Sequence, residues 1–101
     1  MHKGKIIVNG DAGSNVGQFM DNGIIMINGN CGINTGFAMV NGKIYVEGDT
    51  DPGLGTMMIG GEIYVNGKIK NLGPEINSGS IFHKGIQVIK DGRPVPGASI
   101  T

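Results

Sequence analysis

Apolar and polar positions alternate with a period of two in short runs that return along the chain. Between Gly4 and Gly10, Ile6 and Val8 fall on one face, and Lys5, Ile7 and Asn9 on the other. That is the signature of a half-buried strand. The run recurs after Gly23, Gly42 and Gly61, so one inward column reads Ile6, Ile25, Ile44, Ile63 and a second reads Val8, Ile27, Val46, Val65. The glycines that open these runs are 19 residues apart, and three more columns keep the same step: Gly10, Gly29, Gly48, Gly67; Gly17, Gly36, Gly55; and Met20, Met39, Met58. Residues 4–67 are therefore a regular internal repeat without insertions.

A unit of this length cannot bury its own apolar face, so successive copies must stack, each strand pairing in parallel with its equivalents one turn before and after. The prediction is an all-β fold, a parallel β-helix (β-solenoid) of four to five 19-residue turns. A meander of hairpins would need loops of about a dozen residues between equivalent strands, longer than hairpin loops usually are. Glycines should mark the corners. Asn precedes glycine at Asn9-Gly10, Asn22-Gly23, Asn28-Gly29, Asn41-Gly42 and Asn66-Gly67, a pairing suited to the positive φ of a sharp corner. Because the dipeptide recurs at both ends of the strands, it is read as a corner and not as a two-residue hairpin. Met20, Met39 and Met58 are expected inside, filling the gap beneath the second side of each turn.

From Lys68 onward the glycine and methionine columns are lost. Gly79 and Gly85 restore the strand spacing around Ser80-Ile81-Phe82-His83-Lys84, 18 residues after Gly61. Residues 68–92 are thus read as a degenerate turn and 93–101 as a tail or cap, all within a single domain spanning residues 1–101. Pro94 and Pro96 suit a terminating segment, since neither can donate a backbone hydrogen bond.

Composition narrows the class. Twenty glycines are compatible with collagen, a flexible linker or a repeat fold. Collagen needs a Gly-X-Y register that this chain lacks, and a linker would not carry 15 Ile and 7 Val. Only 2 Leu and 3 Ala accompany them, which favours strands over helices. Eight basic and eight acidic residues balance, giving no electrostatic case for nucleic acid or an anionic membrane. No apolar stretch approaches the ~20 residues of a membrane helix, and the apolar run after Met1-His2-Lys3-Gly4 is too short for a signal peptide. A cytoplasmic location is the expectation.

The candidate chemistry is sparse. Cys31, the one cysteine, takes the place that Ala12 holds in the first turn, and reads as a small buried thiol that can close no internal disulfide. His83 lies three turns along the stack, about 14 Å away at ~4.8 Å per strand, too far for a Cys–His dyad. His2 belongs to a terminus expected to fray. Ser14, Ser78, Ser80 and Ser99 have no Gly-x-Ser-x-Gly setting. Asp11 and Asp49 share a column with Asn30, and Asp51 is nearby, which raises a hard-cation ladder; solvated corner residues are the reading preferred. Asp11-Ala12-Gly13-Ser14-Asn15-Val16-Gly17 lacks the lysine and following helix of a phosphate loop. No catalytic, cofactor or metal residue is assigned.

One outward column stands apart. Ile7, Met26, Tyr45 and Tyr64 are apolar or aromatic at successive levels where a solvated strand should be polar. Such a contiguous stripe usually meets something, either the chain's own tail, with Val95 and Ile100 as cover, or another subunit.

The pattern Gly-x-Ile-x-Val-x-Gly followed by Gly-x-x-Met-x-x-Gly, seen in residues 23–42 and 42–61, resembles the GXGXG-domain family. That family includes the C-terminal β-helix domain of the glutamate synthase large subunit and the β-helix subunit of formylmethanofuran dehydrogenase. The resemblance covers residues 4–67 closely and 68–92 loosely. It implies a right-handed parallel β-helix without active-site residues of its own, standing beside catalytic domains as support. The function expected is a noncatalytic structural module, a homo-oligomer or a companion of catalytic oxidoreductase subunits. The alternative is a small ligand-binding protein or enzyme using a groove on the solenoid, with Cys31, Asp49, Asp51 and His83 as its polar candidates. Met1, His2 and Lys3 are too few for a cap, so the strand from Lys5 to Asn9 is expected to lie open to a partner.

Overall fold

A computed structural model describes residues 4–98; His2, Ser99, Ile100 and the outer parts of both termini lie outside the described residues. Among the described residues seven strands form one sheet in chain order: β1 (Lys5–Val8), β2 (Ile24–Ile27), β3 (Lys43–Val46), β4 (Glu62–Val65), β5 (Ser80–His83), β6 (Ile86–Lys90) and β7 (Arg93–Pro94). The first five are parallel and in the register the repeat demands: Ile6 pairs with Ile25, Ile25 with Ile44, Ile44 with Ile63, and Ile63 with Ile81. The chain is a β-solenoid of about four turns. A second ladder on another side of the coil runs Cys31, Thr50, Ile69, and Leu54 pairs with Leu72.

The interior is built from the predicted columns. Ile25, Ile27, Ile44, Val46, Ile63 and Val65 are buried, joined by Met20, Met39, Met58, Leu54 and Cys31. Ile6 departs from expectation: it keeps its place in the inward column but is 47% exposed, whereas Ile25 one level on is 7% exposed. No strand of the described residues lies below β1 to cover it; Val8 is half-buried for the same reason.

The glycine columns divide into two mechanisms. Gly23 and Gly42 adopt φ of 94° and 98°, and Gly10 143°, as the Asn-Gly reading requires. Gly29, Gly48 and Gly67 do not: their φ is not left-handed, and glycine is needed because a Cβ would run into the carbonyl of Gly10, Gly29 or Gly48 in the turn before. That corner is a close approach of backbones and not a conformational demand. The left-handed residues of the other corners include Phe19, Ala38 and Met57, one column of non-glycine residues at φ 53–58°.

The C-terminal segment closes the coil differently from a fifth turn. After an 18-residue step β5 pairs in parallel with β4, but β6 then returns antiparallel to β5, and β7 antiparallel to β6. The reversals are two-residue turns at Lys84-Gly85 (φ 51° and 81°) and Asp91-Gly92 (φ 50° and 77°), the double positive φ of a type I′ hairpin. The cap thus begins at Ile86. Its Val88 and Ile89 are buried over the last level, and Ala98 packs on the same core.

Candidate interaction surface

Parallel in-register pairing puts like on like, so the outward stripe becomes a ladder. Ile7 pairs with Met26, Met26 with Tyr45, Tyr45 with Tyr64, and Tyr64 with Phe82. The Tyr45 and Tyr64 rings stack with centroids 4.7 Å apart and planes 9° from parallel, and Tyr64 stacks on Phe82 with the same figures. Phe82 extends the stripe by a level that sequence reading did not include; the shortened step from Gly61 to Gly79 hid it from the 19-residue column. The ring faces are spent on one another, leaving the edges outward.

At Tyr64 the hydroxyl donates to a Glu62 carboxylate oxygen at 3.0 Å, and that carboxylate also lies 3.6 Å from the Lys43 ammonium. Burial, the bond to Glu62 and the repulsion of a second negative charge by Glu62 and Tyr45 raise the Tyr64 hydroxyl to about 12, because each disfavours a phenolate.

Among the described residues the tail does not cover this stripe; Ile100, the other residue expected to do so, lies outside them. Val95 N–H donates to the Val88 carbonyl at 2.9 Å and Ala98 turns onto the core, so the segment closes the end of the coil. Tyr45, Tyr64 and Phe82 stay half-buried, and Ile7 is 54% exposed. Further exposed apolar residues escaped the sequence reading: Phe19, Val40, Met57 and Ile59 are all exposed, with Phe37 edge-on to Phe19 at 6.1 Å. They flank the buried methionines on either side, a signal present in the repeat alignment as apolar residues next to Met20, Met39 and Met58.

The polar candidates do not converge. Cys31 is buried and its thiol is pushed up by that burial, with the Thr35 hydroxyl pulling the other way. His83 occupies the inward column above Val65, buried, its Nε2 2.9 Å from the Gly67 carbonyl. A carbonyl only accepts, so Nε2 carries the proton of that bond. Asp11, Asn30 and Asp49 form a ladder of a different kind from a cation site. The Oδ1 atom of each accepts a backbone N–H from the next turn: Asn30 at 2.8 Å, Asp49 at 2.7 Å and Lys68 at 2.7 Å. Asp51 pairs with Lys70 at 3.3 Å. Among the described residues no three His, Cys, Asp or Glu side chains are grouped to hold a metal. The described residues form a shallow depression of about 390 Å³ along the Asn22 and Asn41 corner beside Lys43, and another of about 360 Å³ at the cap between Leu72, Ile76 and Ile89. Neither contains any of the four polar candidates. Among the described residues no helix is long and apolar enough to cross a membrane.

No protein-family model, curated protein or solved structure matches the chain.

Proposed function

We propose that the protein is a noncatalytic assembly module, a right-handed β-helix that joins copies of itself or catalytic oxidoreductase subunits, as its resemblance to the GXGXG domains implies. The reading rests mainly on one observation: an ordered apolar and aromatic ladder from Ile7 to Phe82 that the cap, among the described residues, leaves uncovered. A stripe of that continuity on a small domain marks a contact surface. Its rings are stacked and in register before any partner arrives, so little side-chain entropy is lost on docking. The remaining chemistry is compatible with a supporting role. Cys31 and His83 are occupied in packing, Asp11 and Asp49 hold backbone amides, and Asp51 pairs with Lys70.

The test is the mass of the native assembly in extracts of the source cells, followed by identification of its components. The expected result is an oligomer or a complex with larger subunits, the association with larger subunits being the one that Tyr64→Lys disrupts. A monomer that stays monomeric over roughly a hundredfold range of concentration, with no co-purifying subunit, overturns the reading.

A further inference from the structure

The two ends of the coil are finished in opposite ways. The last strand, β7, is two residues long, exposed, and contains Pro94, features that blunt a sheet edge against further pairing. The first strand, β1, reads Lys-Ile-Ile-Val, has no proline, and pairs only with β2 among the described residues. Head-to-tail stacking of copies is therefore blocked at one end, while among the described residues the outer edge of β1 has no strand against it.

We propose that β1 is a self-pairing edge: two copies join β1 to β1 antiparallel about a two-fold axis through Ile7, making one sheet across the dimer. The proposal deepens the assembly reading above and rests on it.

Three features fix the register. The first is backbone direction. Ile24 N–H donates to the Gly4 carbonyl at 3.0 Å and Asn28 N–H to the Val8 carbonyl at 2.9 Å, so the even-numbered residues of this segment face β2. Alternation then turns the N–H and C=O of Lys5, Ile7 and Asn9 outward. With the axis at Ile7, Ile7 meets Ile7 of the second copy and Lys5 meets Asn9 of the second copy, each as a hydrogen-bonded pair. On the order of six new backbone hydrogen bonds result.

The second feature is facing. Ile6 then lies opposite Val8 of the second copy, both on the inner side, and the exposed Ile6 gains the cover that Ile25 already has from its neighbours. A slip by one residue would set Ile6 against Ile7 and mix inner with outer faces. The third is the outline of the coil. The flat side runs from Gly4 to Gly10 with Ile7 at its midpoint, and both corner glycines are left-handed. Only an axis at Ile7 sets Gly4 of one copy opposite Gly10 of the other, so the two chains turn away from the sheet together. An axis at Lys5 would instead put two ammonium groups in direct opposition, which is unfavourable.

The test combines association and cross-linking in the full chain. Sedimentation of the unmodified protein is expected to show a dimer that does not grow into longer species. Ile7→Asp sets two carboxylates face to face on the axis, and should weaken the dimer by more than about tenfold. Ile7 is largely exposed, so the variant should keep the circular dichroism of the parent. In the paired register the two Ile7 Cα atoms stand about 5.5 Å apart, within disulfide range. Ile7→Cys in a Cys31→Ser background should therefore oxidise to a covalent dimer, and Tyr45→Cys in the same background should not.

A dimer that resists Ile7→Asp and fails to cross-link through residue 7 overturns the proposal while leaving assembly through another surface. A monomer at every concentration also overturns it, and leaves only the catalytic-partner form of the function, which the native mass decides separately.

Discussion

A methyl group added at Gly36 tests the internal architecture more sharply than removal of any core side chain. The residue has φ of 76°, and an added Cβ would stand 2.5 Å from Ile63 Cδ1 and 3.6 Å from its Cγ1. Carbon atoms are at ease at about 3.5–4.0 Å, so something must move by an ångström. Ile63 is fully buried, and Gly55 of the adjoining turn is already 3.9 Å from the same point. Overpacking of this kind costs about 1–3 kcal/mol, and the left-handed backbone adds about 1–2 for an L-residue. The lower entropy of an unfolded chain carrying alanine offsets about 0.4–1 kcal/mol of this, leaving a net loss of about 2–4 kcal/mol for Gly36→Ala. Against a domain stability of about 5–15 kcal/mol, that is a drop in melting temperature of roughly 10–25 °C.

Gly85→Ala provides the comparison. Its φ is 81°, but nothing among the described residues lies within 4 Å of the new Cβ, so only the backbone cost of about 1–2 kcal/mol applies, less the same unfolded-state offset of about 0.4–1 kcal/mol. Urea unfolding of both variants separates backbone from packing. Ile63→Val supplies the second control, since it deletes Cδ1, the atom in conflict. Alone it should cost about 0.5–1.5 kcal/mol, but combined with Gly36→Ala it should recover part of the loss, with a coupling of about 1 kcal/mol or more. Equal losses at Gly36 and Gly85, together with strict additivity of the Gly36 and Ile63 changes, would refute the picture of a glycine column seated against an isoleucine column.

Thr50 is fully buried between Cys31 and Ile69 in its ladder and its hydroxyl has no hydrogen-bond partner among the described residues, so Thr50→Val should raise the urea midpoint by an amount equivalent to about 1–2 kcal/mol. Cys31, buried and with its thiol pushed up, should be inert to a disulfide reagent at neutral pH and react at once in denaturant; rapid labelling of the folded chain would contradict its placement. In a Tyr45→Phe background, absorbance titration should follow Tyr64 alone, with ionisation near 12, and Glu62→Gln should bring it down. The sign follows from the neutral form being favoured in the fold: the contribution is complete below the unfolded value of about 10 and is lost as pH rises through 10 to 12.

The repeat was legible because its cause is translational. Any residue that must fit between identical neighbours is forced to recur, and so Ile25, Ile44, Ile63 and the three methionines declared both the period and the interior. What failed to show was what breaks translation. The exposure of Ile6 depends on there being no strand beneath it among the described residues, a property of position in the stack and not of residue type. The reversal at Lys84-Gly85 looks in sequence like one more corner, because a type I′ hairpin and a solenoid corner both want positive φ. The reason for Gly29, Gly48 and Gly67 was hidden likewise: a glycine chosen for φ and a glycine chosen for a neighbouring carbonyl are the same letter. At the site, Tyr45 and Tyr64 were visible as a column, whereas Phe82 and the exposed Phe19, Val40, Met57 and Ile59 required the turns to be superposed.

A repeat also constrains where recognition can reside. Interior columns must stay nearly constant from level to level, so they cannot distinguish one turn from the next. The outward column is free to vary, and it does so with a direction: Ile7 and Met26 at the open end, Tyr45, Tyr64 and Phe82 toward the cap. In a dimer joined at β1 the aliphatic ends meet at the axis and the stripe runs unbroken through both copies. The aromatic segments then stand at the two far ends, clear of the pairing edge. Self-association and recruitment of a larger subunit would thus draw on different lengths of one ladder, and Ile7→Asp should abolish the first without touching the second. Tyr64→Lys, more than two levels from the axis, should do the reverse, so that loss of both associations through either single substitution would show the two contacts to be one.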